Sequence, residues 1–178
     1  MDRDGVINQD SDEYIKSVDE WEPIPGSIEA IADLSKAGYT VAVATNQSGI
    51  SRGLFDEFEL SAMHQKMCDL VEKEGGQISG VFFCPHGPDD DCECRKPKTG
   101  LIEQIECEFG TNVENLPFVG DSAKDVLCAK LAGCTPVLVL TGKGENTIAE
   151  SSESELDGVF VFNNLKEYVD SLLQATPH

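Results

Sequence analysis

The sequence is poor in positive charge. Its 13 lysine and arginine residues are outnumbered by 33 aspartate and glutamate residues, which gives a net charge of −20. A surface with this charge repels nucleic acids and anionic membranes, so we expect neither as a partner. Long apolar runs are also absent, because no stretch approaches the ~20 residues of a membrane span. The first residues are acidic and contain no signal-peptide core, and we therefore predict a cytoplasmic protein.

Segments of strand-like and helix-like character alternate along the chain. Strands are predicted at residues 39–45, 80–84, 116–121, 136–140 and 159–162, and helices at residues 56–75, 100–109, 123–133 and 165–173. The continuous apolar runs at 136–140 and 159–162 are typical of strands buried on both faces. Such alternation predicts an α/β fold, in which a central parallel sheet lies between layers of helices. The length of 178 residues and the hydrophobic content of 40% suit one domain, residues 1–178.

Polar residues follow the predicted strands at the points where ligands bind in sheets of this kind. They are Asp2 and Asp4 at the start of the chain, Thr45 and Asn46, Lys96, and Asp121 and Asp125. Each has an ordinary interpretation alone: an Asp-x-Asp pair is commonly a solvated loop, and Thr45 could cap a helix. Their arrival from separate strands predicts one convergent site.

Phosphoryl transfer through a carboxylate is the chemistry that suits this set. A carboxylate can attack phosphorus and so divide one difficult displacement into two easier ones. A cluster of acids repels a phosphate, so a hard cation is needed, and Mg²⁺ is the natural choice. Thr45 can hydrogen-bond a phosphoryl oxygen, and Lys96 can balance the charge that develops on it. A second acid two residues after the nucleophile can serve as general acid and base.

Seven cysteines, an odd number, are too clustered for a simple disulfide framework. The segment "CPHGPDDDCEC" holds Cys84, His86, Cys92 and Cys94, a spacing that can enclose one tetrahedral, structural Zn²⁺. A redox cysteine pair or unrelated buried thiols are the alternatives. We expect the zinc to order the loop 84–94 ahead of Arg95 and Lys96. No partner is evident for His64 or His178, and neither receives a role.

Four segments, "DRDG", "TNQSG", "CRKP" and "GDSAKD", resemble in this order the four motifs of the haloacid dehalogenase phosphatase superfamily. The resemblance implies a three-layer Rossmann-like fold of that superfamily. The segment between Asp4 and Thr45 is too short for the separate cap domain that many relatives have, so we expect none. The resemblance implies a catalytic set in which Asp2 is the nucleophile, Asp4 the general acid and base, and Thr45 and Lys96 stabilise the phosphoryl group. It also implies a Mg²⁺ site made by Asp2, Asp121 and the Asp4 backbone carbonyl, with Asp125 supporting these ligands.

Within the superfamily, the Cys-His-Cys-Cys insert resembles two groups, the heptose 1,7-bisphosphate phosphatases and the histidinol-phosphate phosphatases. "ATNQSGISRG" and "VLVLTGKG" are closer to the first group, which implies hydrolysis of D-glycero-D-manno-heptose 1,7-bisphosphate at the 7-phosphate, for ADP-heptose and lipopolysaccharide core synthesis. The partner would be a small phosphorylated metabolite, and nothing demands more than a monomer. The substrate-binding residues implied are Asp10, Asn46, Gln47, Ser48, Arg95 and Ser122.

A non-catalytic, zinc-stabilised binding module is a further alternative. It draws support from the start of the chain, where relatives have an apolar strand ahead of the first aspartate. That first strand looks truncated here, so we expect its neighbours to expose unpaired backbone groups. Apolar residues added ahead of Asp2 are expected to raise stability and turnover together.

Overall fold

The computed structural model describes residues 1–175, and strands and helices alternate along them. The strands are β1 (Ala42–Asn46), β2 (Gly80–Cys84), β3 (Pro117–Gly120), β4 (Thr135–Val139) and β5 (Phe160–Phe162). The helices are α1 (Ser27–Lys36), α2 (Glu57–Lys73), α3 (Gly100–Phe109), α4 (Ala123–Leu131), α5 (Gly144–Glu150), α6 (Glu153–Leu156) and α7 (Leu165–Ala175). The predicted α/β alternation is confirmed. His178 lies outside the described residues.

The strands form two parallel groups, β1–β2 and β3–β4–β5. The backbone of Met1 and Asp2 joins them, because Ala44 N donates to Met1 O at 2.9 Å and Asp2 N donates to Val119 O at 2.8 Å. Strands β1 and β3 therefore have backbone partners in Met1 and Asp2. An apolar cavity of about 140 Å³ nevertheless lies next to Met1. The gain expected from apolar residues ahead of Asp2 stays a prediction. For the function, the important result is that Asp2 lies between β1 and β3.

Helices cover the strands on both faces, because successive strand residues point to opposite sides. Val43 of β1 belongs to the core cluster that includes residues of α1, α2 and α7, whereas its neighbour Ala44 belongs to the cluster with α3 and α4. In β3, Val119 likewise belongs to the first of these clusters and Phe118 to the second. The three predicted layers are thus present. Within residues 1–175, no separate cap domain accompanies them.

The predicted burial of the strand at residues 159–162 was wrong. Strand β5 pairs with β4 alone and lies at an edge, and Phe160 and Val161 are 58% and 43% exposed. The run Val137–Val139 of β4 is buried, as expected for a strand with a neighbour on either side. At the start of α2, Asp56 caps the helix by accepting a hydrogen bond from Glu59 N at 2.9 Å. None of the helices in residues 1–175 combines the length and the hydropathy needed to cross a bilayer.

Candidate active site

A buried lysine, Lys96, connects two other predicted site residues. Lys96 is 2% exposed, and its Nζ lies 2.9 Å from Asp2 Oδ1 and 2.7 Å from Asp125 Oδ1. It also donates to the carbonyl of Ala44 in β1 at 2.8 Å. Burial lowers the pKa of Lys96, but the carboxylates of Asp125 and Asp2 outweigh it and raise the pKa above its usual range. Lys96 is therefore a permanent positive charge at the end of the sheet.

The two hydrogen-bonding contacts of the Asp2 carboxylate fall on the same oxygen. Oδ1 accepts from Arg3 N at 2.7 Å and contacts Lys96, so that Oδ2 remains for a ligand or for attack. Burial and the nearby charge of Asp125 raise the pKa of Asp2 to about 7. Burial, Asp2 and Asp125 raise the pKa of Asp121 to about 8. Lys96 opposes this rise at Asp2 but does not outweigh it, and both carboxyls therefore favour a bound cation.

The donor set suits Mg²⁺. Carboxylate oxygens of Asp2, Asp121 and Asp125 lie within 4.8 Å of one another, and oxygen is the ligand that Mg²⁺ prefers. Asp125 is already engaged: Ser122 Oγ donates to its Oδ2 at 2.7 Å, and Lys96 contacts its Oδ1. Asp2 and Asp121 are thus the two carboxylates that fit an ion, and Asp125 holds Lys96 and the start of α4.

Two glycines let the backbone approach Asp121 closely. Gly5 and Gly142 have φ angles of +79° and +59°, in the region that side chains rarely adopt. A Cβ at Gly5 would lie 2.0 Å from Asp121 Oδ2, and one at Gly142 would lie 2.2 Å from it. Lys143 N donates to the same oxygen at 2.8 Å. Any larger residue at either glycine would displace the carboxylate.

Asp4 is held on all sides by donors. Arg3 Nε and Asn8 Nδ2 donate to its Oδ1 at 2.9 and 2.8 Å, and Gln47 Nε2 donates to its Oδ2 at 3.0 Å. Burial raises the pKa of Asp4, but the charge of Arg3 and the hydrogen bonds from Asn8 and Gln47 hold it below its usual range. Asp4 is thus an ionised, fixed carboxylate two residues after Asp2.

The end of β1 and the residues that follow it contribute Thr45, Asn46, Gln47 and Ser48 to the same cleft. Thr45 is buried, and its Oγ1 accepts from Gln47 Nε2 at 2.9 Å, which leaves its hydroxyl proton for a ligand. Asn46 pairs with the Lys96 backbone, donating to its carbonyl and accepting from its N–H, both at 3.0 Å. Asn46 therefore positions Lys96, and Gln47 positions Asp4 and Thr45.

The cleft has a volume of about 840 Å³, and the other predicted substrate-binding residues line it. Asp10 lies at its rim, where its carboxylate is 3.4 Å from Lys143 Nζ. Arg95 donates from Nη1 to the carbonyl of His86 at 3.1 Å. Ser122 lines the cleft, but its hydroxyl donates a hydrogen bond to Asp125. The structure thus brings every predicted catalytic and substrate-binding residue to one opening.

Four functional candidates were missed by sequence reasoning. Lys124 and Lys143 line the cleft, and burial together with the charges of Arg95 and Lys143 lowers the pKa of Lys124. Arg3 contacts Asp4, and His64 lies 3.3 Å from Arg3 Nη1. Burial and the charge of Arg3 lower the pKa of His64 to about 3, so that this histidine is neutral. Arg3 stands inside the first motif, which is a usable signal, whereas His64 in α2 carries none.

The predicted zinc ligands cluster as a closed tetrahedral site requires. Cys84 Sγ lies 3.1 Å from Cys94 Sγ and 3.8 Å from Cys92 Sγ, and His86 Nδ1 lies 3.3 Å from Cys94 Sγ. Zinc–sulfur bonds of about 2.3 Å place tetrahedral sulfurs at about this spacing. Burial raises the pKa of Cys84 to about 12, so a thiolate there needs a cation. The donor set therefore fits Zn²⁺.

Comparisons with known proteins agree with the fold. A family model described as HAD-hydrolase-like matches residues 93–168. The D-glycero-β-D-manno-heptose-1,7-bisphosphate 7-phosphatase of Pseudomonas aeruginosa is 52% identical over 98% of this chain and 96% of its own length. The enzyme of that name from Neisseria meningitidis serogroup A is 48% identical over 98% of this chain and 93% of its own length.

A solved structure shows the same likeness in three dimensions. The crystal structure of D,D-heptose 1,7-bisphosphate phosphatase from Bordetella bronchiseptica, complexed with magnesium and phosphate, matches with a TM-score of 0.93. The two sequences are 47% identical, and the match covers 98% of this chain and 97% of that one. Sequence and fold thus agree over nearly the whole length of the chain.

Proposed function

Because the chain belongs to the haloacid dehalogenase superfamily and to its heptose-bisphosphate phosphatase family, we propose that it is a Mg²⁺-dependent phosphatase. Its proposed substrate is D-glycero-β-D-manno-heptose 1,7-bisphosphate, cleaved at the 7-phosphate. The observation that carries the proposal is the gathering of Asp2, Asp4, Thr45, Lys96 and Asp121 around one cleft. A non-catalytic binding module would have no use for this set.

In the first step, Asp2 Oδ2 attacks phosphorus and the bond from phosphorus to the sugar oxygen breaks. The departing oxygen takes a proton from Asp4, and an aspartyl-phosphate forms on Asp2. Asp4 is ionised before substrate binds, but a phosphate dianion beside it raises its pKa and favours the protonated form. Thr45 Oγ1 donates to a phosphoryl oxygen, and Lys96 balances the charge that develops there.

In the second step, Asp4 takes a proton from a water molecule, which attacks phosphorus. The bond from phosphorus to Asp2 breaks and inorganic phosphate leaves. Asp4 then releases to solvent a proton equivalent to the one it took up from solvent when substrate bound, and both aspartates return to their starting state. Asp2, Asp121 and the Asp4 carbonyl would hold Mg²⁺, which supplies charge neutralisation for the phosphoryl oxygens. Asp125 keeps Lys96 in place through both steps, since it contacts the Nζ at 2.7 Å.

Three cations beyond Lys96 favour a substrate with two phosphates. Arg95, Lys124 and Lys143 all line the cleft, and their charges are close enough to influence one another, as the lowered pKa of Lys124 shows. Histidinol phosphate, the alternative substrate, has one phosphate and would leave these cations without a second phosphate to bind. A bisphosphate places its second, unreacted phosphate among them.

The zinc is proposed as structural. Cys84, His86, Cys92 and Cys94 would complete its coordination, so that no position remains for water. The carbonyl of His86 accepts the hydrogen bond that orients Arg95, and the zinc loop thereby supports a substrate-binding residue. The product would keep its 1-phosphate, the group to which nucleotide activation of a sugar attaches the nucleotide. We propose that this reaction serves ADP-heptose synthesis for the lipopolysaccharide core. We also propose that the enzyme is a monomer and acts in the cytoplasm.

The test is phosphate release with Mg²⁺ and after chelation, with heptose 1,7-bisphosphate and histidinol phosphate offered side by side. We expect Mg²⁺-dependent release with a strong preference in kcat/KM for the bisphosphate. Preference for histidinol phosphate would move the enzyme to the other group with its mechanism intact. Release from neither substrate would favour the binding module.

A further inference from the structure

Arg3 is a buried cation that the proposed reaction does not use directly. Its side chain is fully buried, and it is absent from the lining of the cleft, so it does not bind substrate. A buried guanidinium is costly unless its surroundings pair it. Its side-chain partners among residues 1–175 are the carboxylate of Asp4 and the imidazole of His64.

The contacts of Arg3 with Asp4 are one-sided. Nε and Nη2 lie 2.9 and 2.8 Å from the same oxygen, Oδ1, to which Asn8 also donates. Oδ2 has the single donor Gln47, at 3.0 Å. Hydrogen bonds from Arg3 Nε and Asn8 and the ion-pair contact of Nη2 all oppose rotation of the carboxylate. Oδ2 is the oxygen that remains to exchange a proton with the substrate and with water.

His64 fixes the other end of the guanidinium. Its Nε2 lies 3.3 Å from Arg3 Nη1, and since arginine only donates, Nε2 accepts and the ring proton belongs to Nδ1. The ring is half-buried and lies near Phe83, with centroids 6.2 Å apart. Helix α2 therefore presents a rigid acceptor behind Arg3, although α2 itself contributes nothing to the cleft lining.

We propose that His64 is a positioning residue, which through Arg3 holds Asp4 in the orientation needed for proton transfer at Oδ2. The proposal rests on the function proposed above, in which Asp4 protonates the leaving group. A misplaced general acid should harm only reactions whose leaving group needs a proton. If His64 served folding alone, its replacement should lower kcat/KM equally for all substrates.

The experiment compares two substrates and two variants. Heptose 1,7-bisphosphate has an alkoxide leaving group that needs protonation, whereas p-nitrophenyl phosphate releases a stable phenolate. Values of kcat/KM report only the steps through phosphoryl transfer, which excludes the hydrolysis step common to both. His64→Leu removes the acceptor, and His64→Gln retains an acceptor at the reach of Nε2.

We expect His64→Leu to lower kcat/KM about tenfold for the bisphosphate and less than about twofold for p-nitrophenyl phosphate. His64→Gln should keep the wild-type ratio of the two values. An equal loss on both substrates in His64→Leu would overturn the positioning role, as would a His64→Gln enzyme that behaves like His64→Leu. Should His64→Leu fail to fold, His64→Asn, an amide too short to reach Arg3, takes its place with the same expectations.

The activity of the wild-type enzyme distinguishes failure of the positioning role of His64 from failure of the proposed phosphatase function. Wild-type protein that releases no phosphate from either substrate would overturn the proposed function and this role with it. An active wild-type enzyme whose ratio is unchanged in His64→Leu would overturn the positioning role alone.

Discussion

Asp2 and Asp4 are separated by one residue and meet opposite electrostatic surroundings. Burial and the charge of Asp125 raise the pKa of Asp2 to about 7, whereas Arg3, Asn8 and Gln47 outweigh burial and hold the pKa of Asp4 below its usual range. The nucleophile therefore depends on a cation to stay ionised, and the general acid and base does not. An ionised Asp4 suits the base of the second step, whereas its role as the acid of the first step requires the rise in pKa that the substrate phosphate causes.

The raised pKa values predict a pH-dependent affinity for Mg²⁺. Without the ion, Asp2 and Asp121 keep their protons up to about pH 7 and about pH 8, and these protons must leave when it binds. Affinity should therefore increase as pH rises through this range and level off above it. Isothermal titration calorimetry should find binding at least about tenfold weaker near pH 6 than near pH 8. Equal affinities would contradict the assignment of these two carboxylates.

The catalytic residues could be read from the sequence because each follows a strand or stands in a motif of fixed order. Asn46 and Ser122 were expected to bind substrate, and in the structure their polar groups bond Lys96 and Asp125. That substrate-binding role stays a prediction. His64 could not be found, since its contact with Arg3 joins residues 61 positions apart and follows only from the packing of α2.

At the scale of elements, the zinc loop is the feature most open to test. Cys84 is the last residue of β2, and the other three ligands lie between β2 and α3. The carbonyl of His86 orients Arg95. Loss of the ion should release the loop and move Arg95, while Asp2 and Asp121 on other elements stay in place. The expected kinetic result is a higher KM with a smaller change in kcat.

Cys92→Ser should lower the zinc content and raise KM for the bisphosphate, because a hydroxyl replaces a thiolate ligand. Cys107→Ser is the matched control, since Cys107 is an exposed thiol on α3. Zinc content is measured by elemental analysis of the purified proteins, and KM by phosphate release. Full zinc retention in Cys92→Ser would count against the ligand set.

The elements themselves were largely predictable, because apolar runs mark buried strands and capping residues mark helix starts. The exposure of β5 was not predictable, because an apolar run such as "VFVF" can form either a central strand or an edge strand. Which of the two it becomes depends on strand order, and strand order is a property of the whole sheet.

Across the whole molecule, one ionic cluster ties the two strand groups together. Asp2 lies between β1 and β3, Lys96 reaches the carbonyl of Ala44 in β1, and Asp125 belongs to α4 beside β3. The contacts of Lys96 with both carboxylates are buried. The residues proposed for catalysis thus also hold the molecule together at its centre.

Lys96→Met should destabilise the protein as well as abolish turnover. The variant leaves Asp2 and Asp125 without their cation, and the loss of one partner from a buried ion pair costs about 3 to 5 kcal/mol. Lys130→Met, which removes an exposed lysine of α4, should cost less than about 1 kcal/mol. Urea denaturation of both variants measures the difference. Equal stabilities would show that the cluster does not hold the strand groups together.

The joining of β1 and β3 through Met1 and Asp2 could not be read from the sequence. Two residues are too few to give a strand signal, and their partners, Ala44 and Val119, lie far along the chain. Sequence reasoning gave the layers and the site, because both depend on local patterns and on the rule for strand ends. The connection at the centre depends on pairing across the sheet.

The most direct test of the account is to trap the phosphoryl group on the enzyme. The protein is mixed with Mg²⁺ and heptose 1,7-bisphosphate, quenched in acid within the first turnover, and digested for peptide mass spectrometry. Asp2→Asn serves as the inactive control, and Asp157→Asn, an exposed acid outside the cleft, as the active one. The account predicts a phosphoryl group on Asp2 in the wild-type and Asp157→Asn proteins. Phosphate release without phosphorylation of Asp2 would contradict it.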